Sequence, residues 1–445
     1  MLTFREDNDI LSLAIEKMLS GGSAMLLQFS VENYLSFKDK SVMSLIPSKD
    51  KDHEENIISN KSYKAVNTIV TYGANASGKT SFFKAMTSAI IIIRNSNNRQ
   101  INENIPVVPF KFDDESITKP SKFEFQFIAA DGNKYIYGFS ATQKRIEEEY
   151  LYKYTSRKPT KIFERKLDKY EFTAREELPL SQLVAWNTPN KLFIATATNW
   201  NAQSTKSAYE WFANSIDTYT DLTQISAMVM NDYQSEMADE YVRFTEKLLQ
   251  DADINISKLS VKVKKKTINA AMLPYVPGIF INGQLVQPSE ATELEVKATH
   301  TVKGPNNSVK ECILPLAEES QGTQIIFTIG PLIKKAFDNG RTLVIDEIDR
   351  SLHTFLVKQL INLFRNPEIN KNGAQLIVTS HDTSLLSLST FRRDQIYFME
   401  KDNKTAQSHI YSLDDFSVRK TENIEKGYLL GRYGAIPYLQ AGDIL

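Results

Sequence analysis

At 445 residues the chain is long enough for two or three structural units, each with a core of its own. It is 42% apolar and 24% charged with a formal net charge of −1, the balance of a soluble globular protein without bulk electrostatic pull towards nucleic acid or membrane. A single cysteine, Cys312, excludes a disulfide framework and a thiolate metal cluster and fits a reducing compartment, so the cytoplasm is the expected location.

The N-terminus lacks the basic flank of a signal peptide, and the longest apolar run, Ala89 to Ile93, is far too short to span a bilayer. Asn8 or Asp9 could cap a short helix through Leu19 that ends at Gly21-Gly22. Residues 1–24 read as an optional extension before an alternative start at Met25, with a docking helix as the other reading. Residues 25–46 alternate apolar and polar positions and predict antiparallel strands, whereas Asp50 to Lys64 is polar and loop-like. Val66 to Tyr72 is an apolar strand leading into Gly73, and Thr80 to Ile93 predicts a helix with one buried face. Phe123 to Phe139 alternates around Asp131-Gly132, a hairpin signal, and the aromatic-rich stretch to about residue 200 reads as largely β.

From Ser207 to Gln250 the pattern turns helical, with Trp211, Ile216 and Tyr219 on one face and Tyr241, Phe244 and Leu248 on another. Sustained heptads are absent, so no long coiled coil is expected. Leu259 to Lys264 alternates again, and Gly278 to Pro288 predicts a hairpin turning at Asn282-Gly283. A helix follows Gly322, which Pro331 should kink or split; then come a strand at 342–346, a helix near 352–364 and a strand at 375–380. The fold class is therefore α/β: a P-loop core with an N-terminal antiparallel β subdomain and a mixed β/helical insertion. Its boundaries fall at 25–99 and 311–445 for the two halves of the core and 100–310 for the insertion, the expected sensing or docking region.

Four motifs carry the chemistry. Gly73-Ala74-Asn75-Ala76-Ser77-Gly78-Lys79-Thr80 is a Walker A loop. Its glycines let backbone N–H groups wrap phosphates without Cβ clashes, and the helix starting near Lys79 adds its positive dipole end. Gly73, Asn75, Ser77 and Gly78 form the cradle, Lys79 reaches the β- and γ-phosphates, and the Thr80 hydroxyl holds Mg²⁺. Asp346 ends the apolar run Leu343-Val344-Ile345, where a carboxylate can hold the Mg²⁺ shell, and Glu347 beside it can orient or deprotonate an attacking water.

Glu319-Ser320-Gln321-Gly322-Thr323 precedes Asp346 and resembles the signature loop of ABC-type ATPases. Ser320 and the N–H groups of a helix opening at Gly322 would form a second anion site, which makes most sense facing the ATP of another copy; an ordinary Ser320 helix cap is the alternative. His381 follows the strand Leu376 to Ser380, where an imidazole can donate to a γ-phosphate. Asp349 lies where ABC-type proteins carry a D-loop, with a helix cap for Ser351 onwards as the other reading. His53, His300, His353 and His409 show no metal spacing. Val261-Lys262-Val263-Lys264-Lys265-Lys266 reads first as a charged edge strand and second as a nucleic-acid contact.

From Met25 to Pro437 these residues resemble the ABC/SMC-like ATPases of the OLD, RecF and RloA/AbiL kind, above all the RloA/AbiL-type ATP-binding proteins of bacterial phage-defence islands. Phe29 to Phe37 is similar to the lead-in strand, Pro120 to Phe125 to the middle β segment, and Asp346 to His353 to the Walker B and D-loop. Arg392 to Ile396 and Gly427 to Pro437 are the most specific stretches; the Arg432 guanidinium between two glycines could serve a partner or a phosphate, with a structural brace at the chain end as the other reading. The resemblance implies an ATP-dependent head-to-tail homodimer acting with a separately encoded TOPRIM-like or nuclease-like effector. OLD proteins carry a TOPRIM domain after the ATPase; the 98 residues after Glu347 leave no room for one. Gln100 and Gln126 are the candidates for a Q-loop glutamine. The implied function is an ATPase that senses or regulates in anti-phage defence. The alternative is a RecF-like repair ATPase that binds DNA directly. An ABC-transporter subunit is disfavoured by the 240 positions between Thr80 and Ser320.

Overall fold

The computed structural model describes residues 23–436 apart from 61, 222–225, 253, 268–278, 282–283, 287–289, 304–307 and 351. The expected helix before Leu19, the Asn282-Gly283 turn, Ser351 and Pro437 lie outside the described residues. By internal contacts the chain divides into two units, Met1–Asp221 with Lys335–Arg350 and Val357–Leu445, and Leu222–Lys334 with Ser351–Leu356.

The first unit opens with the antiparallel strands β1 (Met25–Glu32) and β2 (Ser41–Ser44). Asp50 to Lys64 is not simply loop: β3 (Ile57–Asn60) pairs with β4 (Tyr63–Val66) in a two-stranded ribbon whose polar residues hide the alternation. Next come β5 (Thr68–Tyr72), buried throughout, and α1 (Lys79–Arg94). Phe82, Met86, Ile90 and Ile93 recur at helical spacing and are buried, and Phe82 meets Phe29 and Phe37 edge-on, each at 5.4 Å between centroids. β6 (Ser121–Ile128) and β7 (Lys134–Ala141) flank Asp131-Gly132, where Gly132 has φ +75°. With β8 (Ile146–Tyr154), β9 (Thr160–Lys166) and β10 (Lys169–Phe172) they complete a seven-stranded sheet in the order β10-β9-β8-β7-β6-β1-β2, paired antiparallel throughout. Residues 121–172, expected within the insertion, thus share a sheet with β1.

The stretch to residue 200 is only partly β. It contains α2 (Ala174–Ser181) and α3 (Phe193–Asn199). The cause at α3 is tertiary: the buried Glu149 of β8 accepts the amides of Phe193 at 2.6 Å and Ile194 at 2.9 Å, while Tyr137 donates its hydroxyl at 3.0 Å. Burial raises the Glu149 pKa, and the nearby Arg165 works against that. After α4 (Gln203–Asn214) the expected helical face through Ile216 and Tyr219 is overturned, because Ile216–Tyr219 is a strand, β11. Its four residues are too few to set a period. Its partner is β17 (Thr342–Ile345), more than a hundred residues later.

In the second unit, α5 (Ala238–Asp251) buries Tyr241, Thr245, Leu248 and Leu249. β12 (Lys258–Thr267), β15 (Glu290–Lys303) and β16 (Val309–Pro315) form an antiparallel sheet with β12 and β16 at its edges. β13 (Ile279–Ile281) and β14 (Gln284–Val286) form a separate antiparallel pair. The lysine run lies on the edge strand, as expected, and Lys264 pairs with Glu295 at 3.0 Å.

α6 (Gln321–Asn339) is not split at Pro331. Proline cannot donate to the carbonyl four residues back. That carbonyl, on Phe327, instead accepts the Tyr233 hydroxyl at 2.8 Å, and the Tyr233 and Phe327 rings stack at 4.4 Å. Tyr233→Phe is expected to cost about 1–3 kcal/mol, because it strands a buried carbonyl. The denaturation midpoint measures this, and Pro331→Ala, which restores an N–H, should remove most of the loss.

The chain returns to the first unit through β17, followed by α7 (Thr354–Arg365), β18 (Gln375–Thr379), β19 (Ile396–Lys401), β20 (Ser408–Ser412) and α8 (Ile424–Leu429). The second sheet runs β11-β17-β18-β5-β19-β20, parallel except for the β19–β20 pair. β17, β18 and β5 are wholly buried, as their apolar centres Leu343-Val344-Ile345, Leu376-Ile377-Val378 and Ile69-Val70 predict for parallel strands covered on both faces. This α/β architecture is the one expected.

Candidate nucleotide site

The second sheet brings Walker A, Walker B and the histidine strand to one end. β5 delivers the loop at Gly73, β18 lies directly beside it, and β17 is the next strand over. The carboxyl ends of these parallel strands are where ligands bind in open α/β sheets.

Loop 73–80 wraps as the glycines predict. Ala76 has φ +63° and Gly78 φ +112°. A Cβ on Gly78 would collide with Ser408, and one on Gly73 with the Met399 carbonyl, so β19 and β20 press on the loop from behind. Gly73, Ser77, Gly78 and Lys79 are buried, while Asn75 and Thr80 are exposed. The Lys79 ammonium donates to the carbonyls of Gly73 at 2.6 Å and Ala74 at 3.1 Å. Burial lowers its pKa, and Asp346, Glu347 and Asp349 pull the other way. The buried Ser77 hydroxyl has no hydrogen-bond partner.

Thr379, the last residue of β18, organises the acidic pair. Its hydroxyl donates to Asp346 Oδ1 at 2.6 Å and accepts the Glu347 amide at 2.7 Å. Glu347 sits at φ +51°, a left-handed conformation that costs a non-glycine residue about 1–2 kcal/mol. Its Oε1 lies 3.9 Å from His381 Nε2, and both side chains are about 40% exposed (42% and 40%). A carboxylate and an imidazole therefore reach solvent side by side at the ends of neighbouring strands.

The helix after Asp349 is described from Thr354, and the cap reading at Ser351 falls outside the described residues. Asp349 Oδ2 accepts the His381 amide at 2.9 Å, fixing the turn that carries the imidazole. Ser320 and Gly322 belong to the second unit, where Ser320 Oγ accepts the Thr323 amide at 3.2 Å and caps α6. His353 is exposed and stacks on Phe355.

One contributor was missed: Thr379, which could have been suspected as a polar residue closing an apolar strand. In the Gly427–Pro437 stretch the Ala74 amide donates to the Ala435 carbonyl at 2.9 Å, so residues 427–436 brace the phosphate loop, the structural one of the two readings of that stretch. Tyr428 holds it there, donating to the same carbonyl at 3.0 Å and stacking on Phe398, whereas Arg432 is exposed and lies 3.4 Å from Glu422. The Arg392–Ile396 stretch is framework: Arg392 is buried against Asp394, Arg393 pairs with Asp50, and Gln395 donates to the Thr68 carbonyl.

Hard oxygen donors at Thr80 and Asp346 beside a phosphate loop suit Mg²⁺, which takes one or two protein oxygens plus phosphates. Among the described residues no cluster of three His, Cys, Asp or Glu could hold a metal, and no helix is long and apolar enough to cross a membrane.

Residues 70–387 match the family described as "AAA domain, putative AbiEii toxin, Type IV TA system". The chain belongs to this family. Its AAA domain thus covers the Walker A, signature-like, Walker B and histidine segments together. No curated protein matches by sequence. Among solved structures, the chain is similar to the SMC head domain from Thermotoga maritima, at 12% identity and a TM-score of 0.38 over 87% of this chain and 98% of that one. An Smc head domain with a coiled coil and joint from Pyrococcus yayanosii gives 9% and 0.42 over 92% and 100%. The recombination mediator protein RecF with ATP gives 12% and 0.37 over 88% and 99%.

Proposed function

We propose that the chain binds ATP with Mg²⁺ and hydrolyses it, and that the cycle drives a sensor or regulator of RloA/AbiL-like type in anti-phage defence. The observation that carries the hydrolytic reading is the Thr379 bridge, which fixes Asp346 and Glu347 in one geometry at the end of β17. Lys79 and the loop amides bind the β- and γ-phosphates. Thr80 and Asp346 hold Mg²⁺, which when bound offsets phosphate charge. Glu347 takes a proton from, or orients, the attacking water, and His381 donates towards the γ-phosphate.

Ser320 and Gly322 act on the ATP of a second copy, giving a head-to-tail homodimer. Ser320→Arg is expected to bind ATP normally yet lose hydrolysis and ATP-dependent dimerisation, because a bulky cation fills the second phosphate cradle. Normal phosphate release by this variant would leave Ser320 as a helix cap alone.

The closing and opening of the dimer is read by a separate TOPRIM- or nuclease-like effector, biased by its different affinity for the two states. The family's description as a putative toxin supports a second reading, in which this chain is itself the toxic component. A RecF-like DNA-binding role is the third, and the pairing of Lys264 with Glu295 weakens its basic patch. The deciding experiment expresses the chain alone, and with the product of its neighbouring gene, in cells challenged with phage. The effector reading expects growth arrest only from the pair. Arrest or nucleic-acid cleavage by this chain alone, abolished by a mutation outside the ATP site, would establish the toxin reading instead.

A further inference from the structure

We infer that the contact between His300 and Glu319 transmits the position of the three-stranded sheet to the signature-like loop, making His300 a positioning residue for ATP hydrolysis. The inference rests on the reading of Glu319 to Thr323 as a loop that meets a phosphate.

The geometry lies within one unit. β16 ends at Pro315, a single 3₁₀ turn covers Leu316–Glu318, and Glu319 follows with its amide on the Leu316 carbonyl at 3.1 Å. Glu319 is then held twice. Its carboxylate accepts His300 Nε2–H at 2.7 Å, and its carbonyl accepts the Gln324 side chain at 2.9 Å. The two side chains are 19% and 8% exposed, so water screens the contact weakly. Ser320 is the next residue along, and its hydroxyl is already committed to the Thr323 amide.

His300 itself has little freedom. It lies on β15, opposite Cys312 of β16, and the other edge of β15 pairs with β12 over residues 290–299, up to its neighbour Thr299. β12 is tied to α5, since the Leu259 amide donates to Glu246 at 2.6 Å. An unbroken chain of contacts therefore runs from α5 through β12 and β15 to His300, Glu319 and Ser320.

The charge of Glu319 explains why the chain needs such a contact. A carboxylate beside a serine that accepts a phosphate repels that phosphate. The imidazole holds the carboxylate on the sheet at 2.7 Å. Whatever shifts β15 shifts Glu319, so a protein that docks on the sheet tunes hydrolysis through this one pair.

The test uses the full-length protein with His300→Ala, Glu319→Ala, their double variant, and the conservative His300→Gln, whose side-chain amide still donates to the carboxylate. ATP affinity is measured by calorimetry and turnover by phosphate release. ATP affinity should stay within about twofold, because Walker A belongs to the other unit. Turnover should fall about tenfold in each alanine variant, the double should be no worse than either, and His300→Gln should recover most of it. Unchanged turnover, multiplicative losses in the double variant, or no recovery in His300→Gln would each overturn the inference. Ser320→Arg separates the failures: if that variant hydrolyses normally, the signature reading falls, and if it is inactive while His300→Ala is normal, only the His300 link falls.

Discussion

Glu347→Gln is expected to bind ATP as tightly as the native chain and to turn it over about 10²–10⁴-fold more slowly, the usual worth of a positioned general base. The amide has nearly the shape of the carboxylate, and the two features that aim residue 347 are backbone features that survive the change. One is the left-handed φ of +51°; the other is the amide bond to Thr379 Oγ1 at 2.7 Å. Only the proton-accepting charge is lost. If Glu347 is the base, the variant should also accumulate an ATP-bound dimer, visible by sedimentation. Unchanged steady-state phosphate release would remove Glu347 from the chemistry and leave His381 as the nearest alternative.

Lys79→Ala is expected to weaken ATP binding by about a hundredfold or more, roughly 3 kcal/mol. Lys79 is the single cation of the loop, and its ammonium already sits at the loop's centre, held by the Gly73 and Ala74 carbonyls. It is buried, which disfavours the charged form, while Asp346, Glu347 and Asp349 favour it. The triphosphate adds a directly bonded anion, so the lysine contributes far more to binding than a surface lysine would. Calorimetry measures the loss, and native affinity in the variant would mean that backbone amides alone carry the phosphates.

Legibility in the sequence followed distance along the chain. The phosphate loop is eight consecutive residues whose chemistry is local, so its glycines, Lys79 and Thr80 could be read directly. β17 and β18 were legible because strands buried on both faces carry apolar cores, Leu343-Val344-Ile345 and Leu376-Ile377-Val378. The acidic pair could be seen at the end of its strand; Thr379 stood out as a polar strand end, but its role in orienting the pair could not be read, since the pairing of β17 with β18 is tertiary. α3 was hidden because its N-terminus is satisfied by Glu149, more than forty residues upstream. β11 was hidden because four residues beside a helical pattern carry too little period to outweigh it. β3 and β4 were hidden because two four-residue strands set in a polar stretch are too short to show an alternation until their ladder is seen.

The bond from Ala74 to Ala435 ties the catalytic loop to the order of synthesis. The loop leaves the ribosome early, while the carbonyl that braces it is made some 360 residues later, a lag of roughly 20–70 s at ordinary elongation rates. Throughout that interval the nascent chain holds an unfinished nucleotide site. A product that terminates between His381 and Ala435 would carry every recognisable ATPase motif and still lack the brace. The two partners of this contact are thus made at well-separated times, and the loop waits for its brace.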